Sequence, residues 1–250
     1  MQGQTGFLTM ALFGGAVLLF DRRPLAAGIL FGLLSCKPHF GLLVPLALLC
    51  GRQWTVFAAA SITTLVFGMA SAVVLGPDVW LAFWRNLPLL RDILEQGGVP
   101  WDKMVSPFAG MRLLGVGGVP AYVLQGVLAL AAAAGVAWAW WRAVPLRLAA
   151  AVLVSGALVA TPYVFDYDLV LLAVPIALLA RDGCEQGWLP GDREVLVAAW
   201  LMPLLSPVIA HASGVQLGWL CLVALFAVAL RRAIAFERQT HSAGRATSGA

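Results

Sequence analysis

The chain has 250 residues, of which 61% are hydrophobic and only 11% charged, with a net charge of +4 carried mostly by Arg. A soluble domain uses about 25% charged residues, so this composition excludes an ordinary soluble globule and the disordered, collagen-like and disulfide-rich classes; a bilayer is the solvent that suits it. In such a chain the positive balance sets orientation and is poor evidence for nucleic acid. The four cysteines, Cys36, Cys50, Cys184 and Cys221, are far apart and form no CxxC pair, which reads as small apolar residues in helices.

In chain order, residues 6–20 are apolar and end at the turn Asp21-Arg22-Arg23-Pro24. Residues 25–35 and 40–50 are apolar but short, with Cys36-Lys37-Pro38-His39 between them. Two short helices with a polar break and a re-entrant pair both fit, and either break must face protein or a wet cavity. Gly28 and Gly32 form a GxxxG pattern suited to close helix packing. A spanning helix needs about 20 residues, and 55–76 and 117–141 each supply one. Residues 77–116 form the one substantial loop. Trp80, Phe83, Trp84, Leu87, Leu90 and Leu94 recur there at helical spacing, Pro88 divides the stretch into two short helices, and the segment is expected to lie flat on the membrane surface.

The apolar–polar–apolar pattern returns at 148–180, where Thr161-Pro-Tyr-Val-Phe-Asp-Tyr-Asp168 separates 148–160 from 169–180. The charge-free stretch 195–230 is too long for one span; Pro203, Pro207 and the polar tip from His211 to Gly214 divide it into a hairpin of 195–210 and 215–230. The expected fold is therefore all-α: a polytopic transmembrane bundle of about nine segments over 1–232, with an extracytoplasmic loop at 77–116 and a disordered cytoplasmic tail at 233–250.

Charge tests that layout. With the tail inside, eleven basic residues (Arg22, Arg23, Arg52, Arg142, Arg147, Arg181, Arg193, Arg231, Arg232, Arg238, Arg245) are cytoplasmic and five (Lys37, Arg85, Arg91, Lys103, Arg112) are outside. The positive-inside rule favours this arrangement. Were 25–50 a single span, Arg22 and Arg23 would move outside and Lys37 would lie mid-membrane. In the nine-segment layout Gln2, Gln4, Lys37, His39, the 77–116 loop, the 161–168 break and His211 all collect on the extracytoplasmic face.

Three constellations there can carry chemistry. A Lys within an apolar hairpin is a functional-site candidate whose natural partner is an anion, a phosphate or a carboxylate; the bland reading is a side chain snorkelling to the headgroups. Asp166 and Asp168, flanked by Tyr163 and Tyr167, can hold sugar hydroxyls, pair with Lys37 or transfer protons, or Asp168 can cap the helix that follows. Their DxD spacing by itself does not make a metal site. Trp101 and Lys103, in Val99-Pro-Trp-Asp-Lys-Met104, suit sugar stacking and phosphate contact, or equally an interfacial anchor. His211 reads as a hydrogen-bonded loop residue. Three scattered histidines make no metal cluster, and there is no P-loop, GxSxG elbow or Rossmann glycine pattern.

Gly3-Gln4-Thr5-Gly6-Phe7, Arg23-Pro24 with Ala27-Gly28, Lys37-Pro38-His39, and Thr161-Pro-Tyr163 with Tyr167-Asp168 together resemble glycosyltransferase family 87. That family is similar to the polyprenol-phosphate-mannose-dependent mannosyltransferases of the GT-C fold. The resemblance implies a multi-pass enzyme, in a bacterial plasma membrane, that moves a hexose, mannose in the related enzymes, from a polyprenyl-phosphate carrier to a glycan or glycolipid on the outer face. It implies no cofactor, metal or nucleotide sugar. Lys37 is by position the cation for the lipid-phosphate leaving group. The expected substrate-binding set is Gln4, Lys37, His39, Trp101, Lys103, Tyr163, Asp166, Tyr167 and Asp168, with no catalytic residue assigned. The chain departs from the family in two ways. His39 stands where the family usually has Gln. The chain also begins inside the Gly-Gln motif, whereas members carry an earlier helix and an external loop with the expected acidic base, so Met1 is expected to be an internal start of a longer enzyme. A transporter, suggested by broken helices, or a non-catalytic membrane subunit are the competing classes.

Overall fold

The computed structural model describes residues 5–248, and the side chains of 5–89 and 92–240. Twelve α-helices account for most of it: α1 (Gly6–Leu19), α2 (Pro24–Leu33), α3 (Pro38–Gly41), α4 (Val44–Cys50), α5 (Trp54–Leu75), α6 (Asp78–Glu95), α7 (Pro107–Leu113), α8 (Gly118–Trp141), α9 (Leu146–Ala160), α10 (Ala173–Gln186), α11 (Asp192–Ser213) and α12 (Gly218–Ser248). Among the described residues the only β pairing is an isolated antiparallel bridge between Met104 and Phe165. Four helices are long and apolar enough to cross a membrane, over Trp54–Leu75, Gly118–Trp141, Asp192–Ser213 and Gly218–Thr240. An integral membrane helical bundle follows, because a spanning helix satisfies its own backbone where no water can.

The bundle is built around α9. Every residue from Leu148 to Ala160 is buried, as expected of a helix whose Ala, Val and Leu surround its whole circumference. Small residues let its neighbours approach. A Cβ on Gly156 would stand 3.1 Å from Val136 of α8 and 3.3 Å from Phe226 of α12, and one on Gly135 would meet the Phe226 ring at 2.8 Å. The GxxxG pattern works in the same way. A Cβ on Gly28 would stand 2.6 Å from the Val56 carbonyl, and one on Gly32 2.6 Å from that of Ala60, so α2 lies directly against α5. The far side of α5 is exposed apolar surface, including Leu65, Met69, Val73 and Val74.

Two expectations are corrected. Pro88 does not divide the loop helix: α6 runs unbroken from Asp78 to Glu95 with Pro88 inside it. Pro88 removes one N–H, whose acceptor would be the carbonyl of Trp84; that residue is exposed, where outside partners can replace the lost bond. Pro203 and Pro207 likewise lie inside α11 and break nothing; the hairpin turns at the end of the expected polar tip, at Gly214, which takes φ 69°, the left-handed conformation that glycine adopts without strain. α12 runs from Gly218 to Ser248.

The polar residues gather at the two ends of the bundle. At one end Arg232 of α12 is buried between Asp182, at 2.7 Å from its Nε, and Asp192; Arg147 reaches the other oxygen of Asp182 at 2.7 Å, and Arg231 also pairs with Asp192. Arg142 pairs with Glu237 close by, and the Phe20 and Trp140 rings meet there at 5.4 Å. At the opposite end the breaks after α2 and after α9 meet α6, α7 and the α11–α12 turn.

Candidate functional site at the meeting of two helix breaks

The first break follows from Pro38. A residue before proline is driven out of the helical region, and Lys37 takes φ −132° and ψ 74° between a 3-10 turn (Leu34–Cys36) and α3. Its side chain leaves the helical track and turns into the bundle. The second break begins where α9 ends: Thr161 is extended at φ −95°, ψ 137°. Two supports hold it. Gln125 of α8 donates through Nε2 to the carbonyls of Val159 (3.0 Å) and Ala160 (3.1 Å), and its Oε1 accepts from the Phe108 N–H at 3.3 Å. The Val105 N–H donates to the Val164 carbonyl at 2.7 Å.

The chain then enters a 3-10 turn from Asp166 to Leu172. Asp168 is therefore not the residue that caps a helix at 169. It is the third residue of the turn, and its Oδ2 reaches back to accept the N–H of Phe165 at 3.3 Å. Its Oδ1 pairs with the Lys37 ammonium. The pair is deeply placed, with 14% of the Lys37 side chain exposed and 2% of that of Asp168. The ammonium also faces the Tyr167 ring at 4.8 Å and that of Phe40 at 5.7 Å. The Phe165 and Tyr167 rings are parallel, 5.6 Å apart.

Burial pushes the Asp168 carboxyl above the usual carboxylate range, against the hydrogen bond and charge of Lys37 and the Phe165 N–H; the Asp166 charge adds to the rise. Burial, then the charges of Asp168 and Asp166, push the Tyr167 phenol above its ordinary value, and burial followed by Glu95 does so for Tyr163. Both phenols therefore remain hydrogen-bond donors at neutral pH.

A cavity of about 410 Å³ opens over this pair, lined by Lys37, His39, Tyr163, Phe165, Tyr167 and Asp168, with Leu87, Ile93 and Leu94 of α6 and Val99 as its apolar wall. Its size and its mix of apolar wall and a few convergent polar groups suit a small-molecule site. The Nε2 of His39 is buried and has no hydrogen-bond partner among the described residues. Such an atom is costly unless a ligand or water satisfies it.

Five of the nine residues singled out in the sequence thus share one cavity. Asp166 lies next door, in a second cavity of about 380 Å³ bounded also by Gly6, Phe7, Trp200 and Pro203, with Tyr167 common to both. Gly6 is required there, because a Cβ at this position would fall on the Tyr167 carbonyl. Trp101 and Lys103 are outside both cavities. The Trp101 Nε1 donates to the Leu94 carbonyl at 2.9 Å and its ring packs under the Arg112 guanidinium at 4.7 Å, so Trp101 braces the loop. Lys103 is exposed at the end of a 3-10 turn (Trp101–Lys103). Gln4 lies outside the described residues. His211, which lies in the last turn of α11 and not in a loop, meets the Asp102 carboxylate at 3.3 Å. Gln125 went unnoticed in the sequence, although an amide in a charge-free span is a signal, and the apolar wall from α6 was equally unmarked.

The family model for glycosyltransferase family 87 matches residues 1–162, and the chain belongs to that family. It is accordingly a membrane glycosyltransferase. The match takes in Lys37 and His39 and ends at the start of the second break, so Tyr163, Tyr167 and Asp168 join the family's segment through the fold. No curated protein and no solved structure matches the chain.

Proposed function

We propose that the chain transfers a hexose, mannose by the family resemblance, from a polyprenyl-phosphate donor to a glycan or glycolipid acceptor on the extracytoplasmic side of the membrane. The observation that carries this reading is the Lys37 ammonium on the wall of a cavity of about 410 Å³. The donor's phosphate is the leaving group, and a cation fixed beside it stabilises the charge that develops there. Tyr163, Tyr167 and the unpartnered Nε2 of His39 supply hydrogen-bonding groups for the phosphate and the sugar.

The sidedness is supported by charge. Arg142, Arg147, Arg181, Arg231 and Arg232 belong to the end away from the cavity, the distribution expected of a cytoplasmic face. In this reading the short apolar helices Gly6–Leu19, Pro24–Cys36, Pro38–Cys50 and Leu146–Ala160, together with α10, complete nine membrane segments, and α6 rests in the headgroup layer. The test is transfer of radiolabelled mannose from polyprenyl-phosphate-mannose in membranes containing the chain. Lys37→Gln is expected to lower the rate at least about a hundredfold, the scale for removing one group that stabilises developing charge. An unchanged rate would refute the assignment.

A further inference from the structure

The cation that makes the cavity an anion site is not free. It is paired with a carboxylate that cannot easily leave. Asp168 is 2% exposed, lies on a 3-10 turn, and has its second oxygen held by the Phe165 N–H at 3.3 Å. Among the described residues that line the cavity, Lys37 is the only cation and Asp168 the only carboxylate. A phosphate that approaches the ammonium therefore approaches a fixed negative charge as well.

This matters because transfer changes the charge on the phosphate. A sugar phosphodiester carries one negative charge. During transfer the bond from the anomeric carbon to the phosphate oxygen breaks, and its electron pair stays on that oxygen. The acceptor oxygen bonds to the carbon, and its proton leaves to the medium. The lipid product is then a phosphomonoester, which carries close to two charges above its second pKa of about 6. At a site with a bare lysine the second charge would tighten binding. Beside Asp168 it meets repulsion in a half-buried setting.

Resting on the donor assignment above, we infer that Asp168 is a specificity-determining counter-charge that lets the cavity hold a singly charged phosphodiester and disfavours the doubly charged phosphomonoester left after transfer. The residue thus limits product inhibition. A second negative charge about 5 Å from a carboxylate, at an effective dielectric of about 20, binds more than tenfold more weakly than it would beside the lysine alone.

The experiment measures equilibrium binding of two probes to the detergent-purified full chain at about pH 8, farnesyl phosphate and its methyl diester. They share a tail and differ by one charge. The wild-type chain is expected to bind the diester at least as tightly as the monoester, a comparison that needs no variant. Tighter binding of the monoester by tenfold or more overturns the inference. In Asp168→Asn the monoester is expected to gain about tenfold or more over the diester, while Asp168→Glu keeps the wild-type ratio. An identical ratio in wild type and Asp168→Asn overturns the inference while leaving the donor assignment intact. If Lys37→Gln binds both probes as tightly as wild type does, the phosphate reading of the cavity itself is wrong, and the inference falls with it.

Discussion

Replacing Lys37 by Met keeps the length and apolar stem of the side chain but removes its charge. The partner left behind, Asp168, is 2% exposed and retains one hydrogen bond, from the Phe165 N–H. Breaking a buried pair by removing one member typically costs about 3–5 kcal/mol, because the other charge is stranded. The low end applies here, since Lys37 borders a cavity that admits water; we expect a loss of about 3 kcal/mol. Asp168→Asn strands the ammonium instead and costs less, because Lys37 is the more exposed partner and keeps the Tyr167 and Phe40 faces. The double variant removes both charges and should recover about 2 kcal/mol relative to the sum of the single effects, a coupling within the range for contacting residues. The assay is a double-mutant cycle on reversible unfolding in mixed micelles. Burial already raises the carboxyl in the wild-type chain, and without Lys37 only the Phe165 N–H opposes that rise. A carboxyl whose folded pKa lies above its unfolded value loses stability as pH rises through the interval between them. The deficit of Lys37→Met should therefore shrink when the pH is lowered from about 8 to about 5. Additive single effects, or a deficit that grows on acidification, would refute the reasoning.

Further outcomes follow from other features. Arg232→Met takes one of two arginines from each of the buried carboxylates Asp182 and Asp192, which keep Arg147 and Arg231, and should cost about 3 kcal/mol, the low end for a broken buried pair, in the same unfolding assay, whereas Arg181→Gln, which removes an exposed (i, i+4) pair, should leave the transition where it was. Gln125→Leu orphans the N–H of Phe108 and the last two carbonyls of α9; a loss of about 1–3 kcal/mol and faster hydrogen exchange at 159–165 are expected. His39→Gln, which restores the residue usual in the family, should retain transfer, while His39→Leu should lower it about tenfold through the lost hydrogen bond; equal rates for the two would remove His39 from the site.

The two breaks were readable from the sequence because each sets charge or proline inside an apolar run, and charge in a bilayer is conspicuous. Their mutual approach was readable only as an option, since Lys37 and Asp168 are 131 residues apart and no local pattern links them. The choice among the roles open to Asp168 depended on the backbone: a 3-10 turn, unlike an α-helix beginning at 169, points the carboxylate back at Phe165 and across to Lys37. Periodicity located α6, but it could not show that Leu87, Ile93 and Leu94 wall the cavity, because an apolar stripe faces lipid and ligand alike. The proline readings failed for a related reason. Pro88, Pro203 and Pro207 each remove one bond from helices that are otherwise continuous, and exposed or packed surroundings absorb that loss. Trp101 was chemically ambiguous in the sequence, and only its bond to Leu94 identified it as a brace.

The separation of Lys37 from Asp168 also has a consequence for synthesis. A ribosome adding about 5–20 residues per second needs roughly 7–26 s to cover the 131 residues between them. Throughout that interval the first hairpin holds an ammonium with its carboxylate not yet made. The insertion machinery or the headgroup layer must shelter it, and the hairpin can settle to its final depth only when the second break arrives. The ion pair that shapes the cavity therefore closes late in the assembly of the bundle, after most of the helices packed around it have been made.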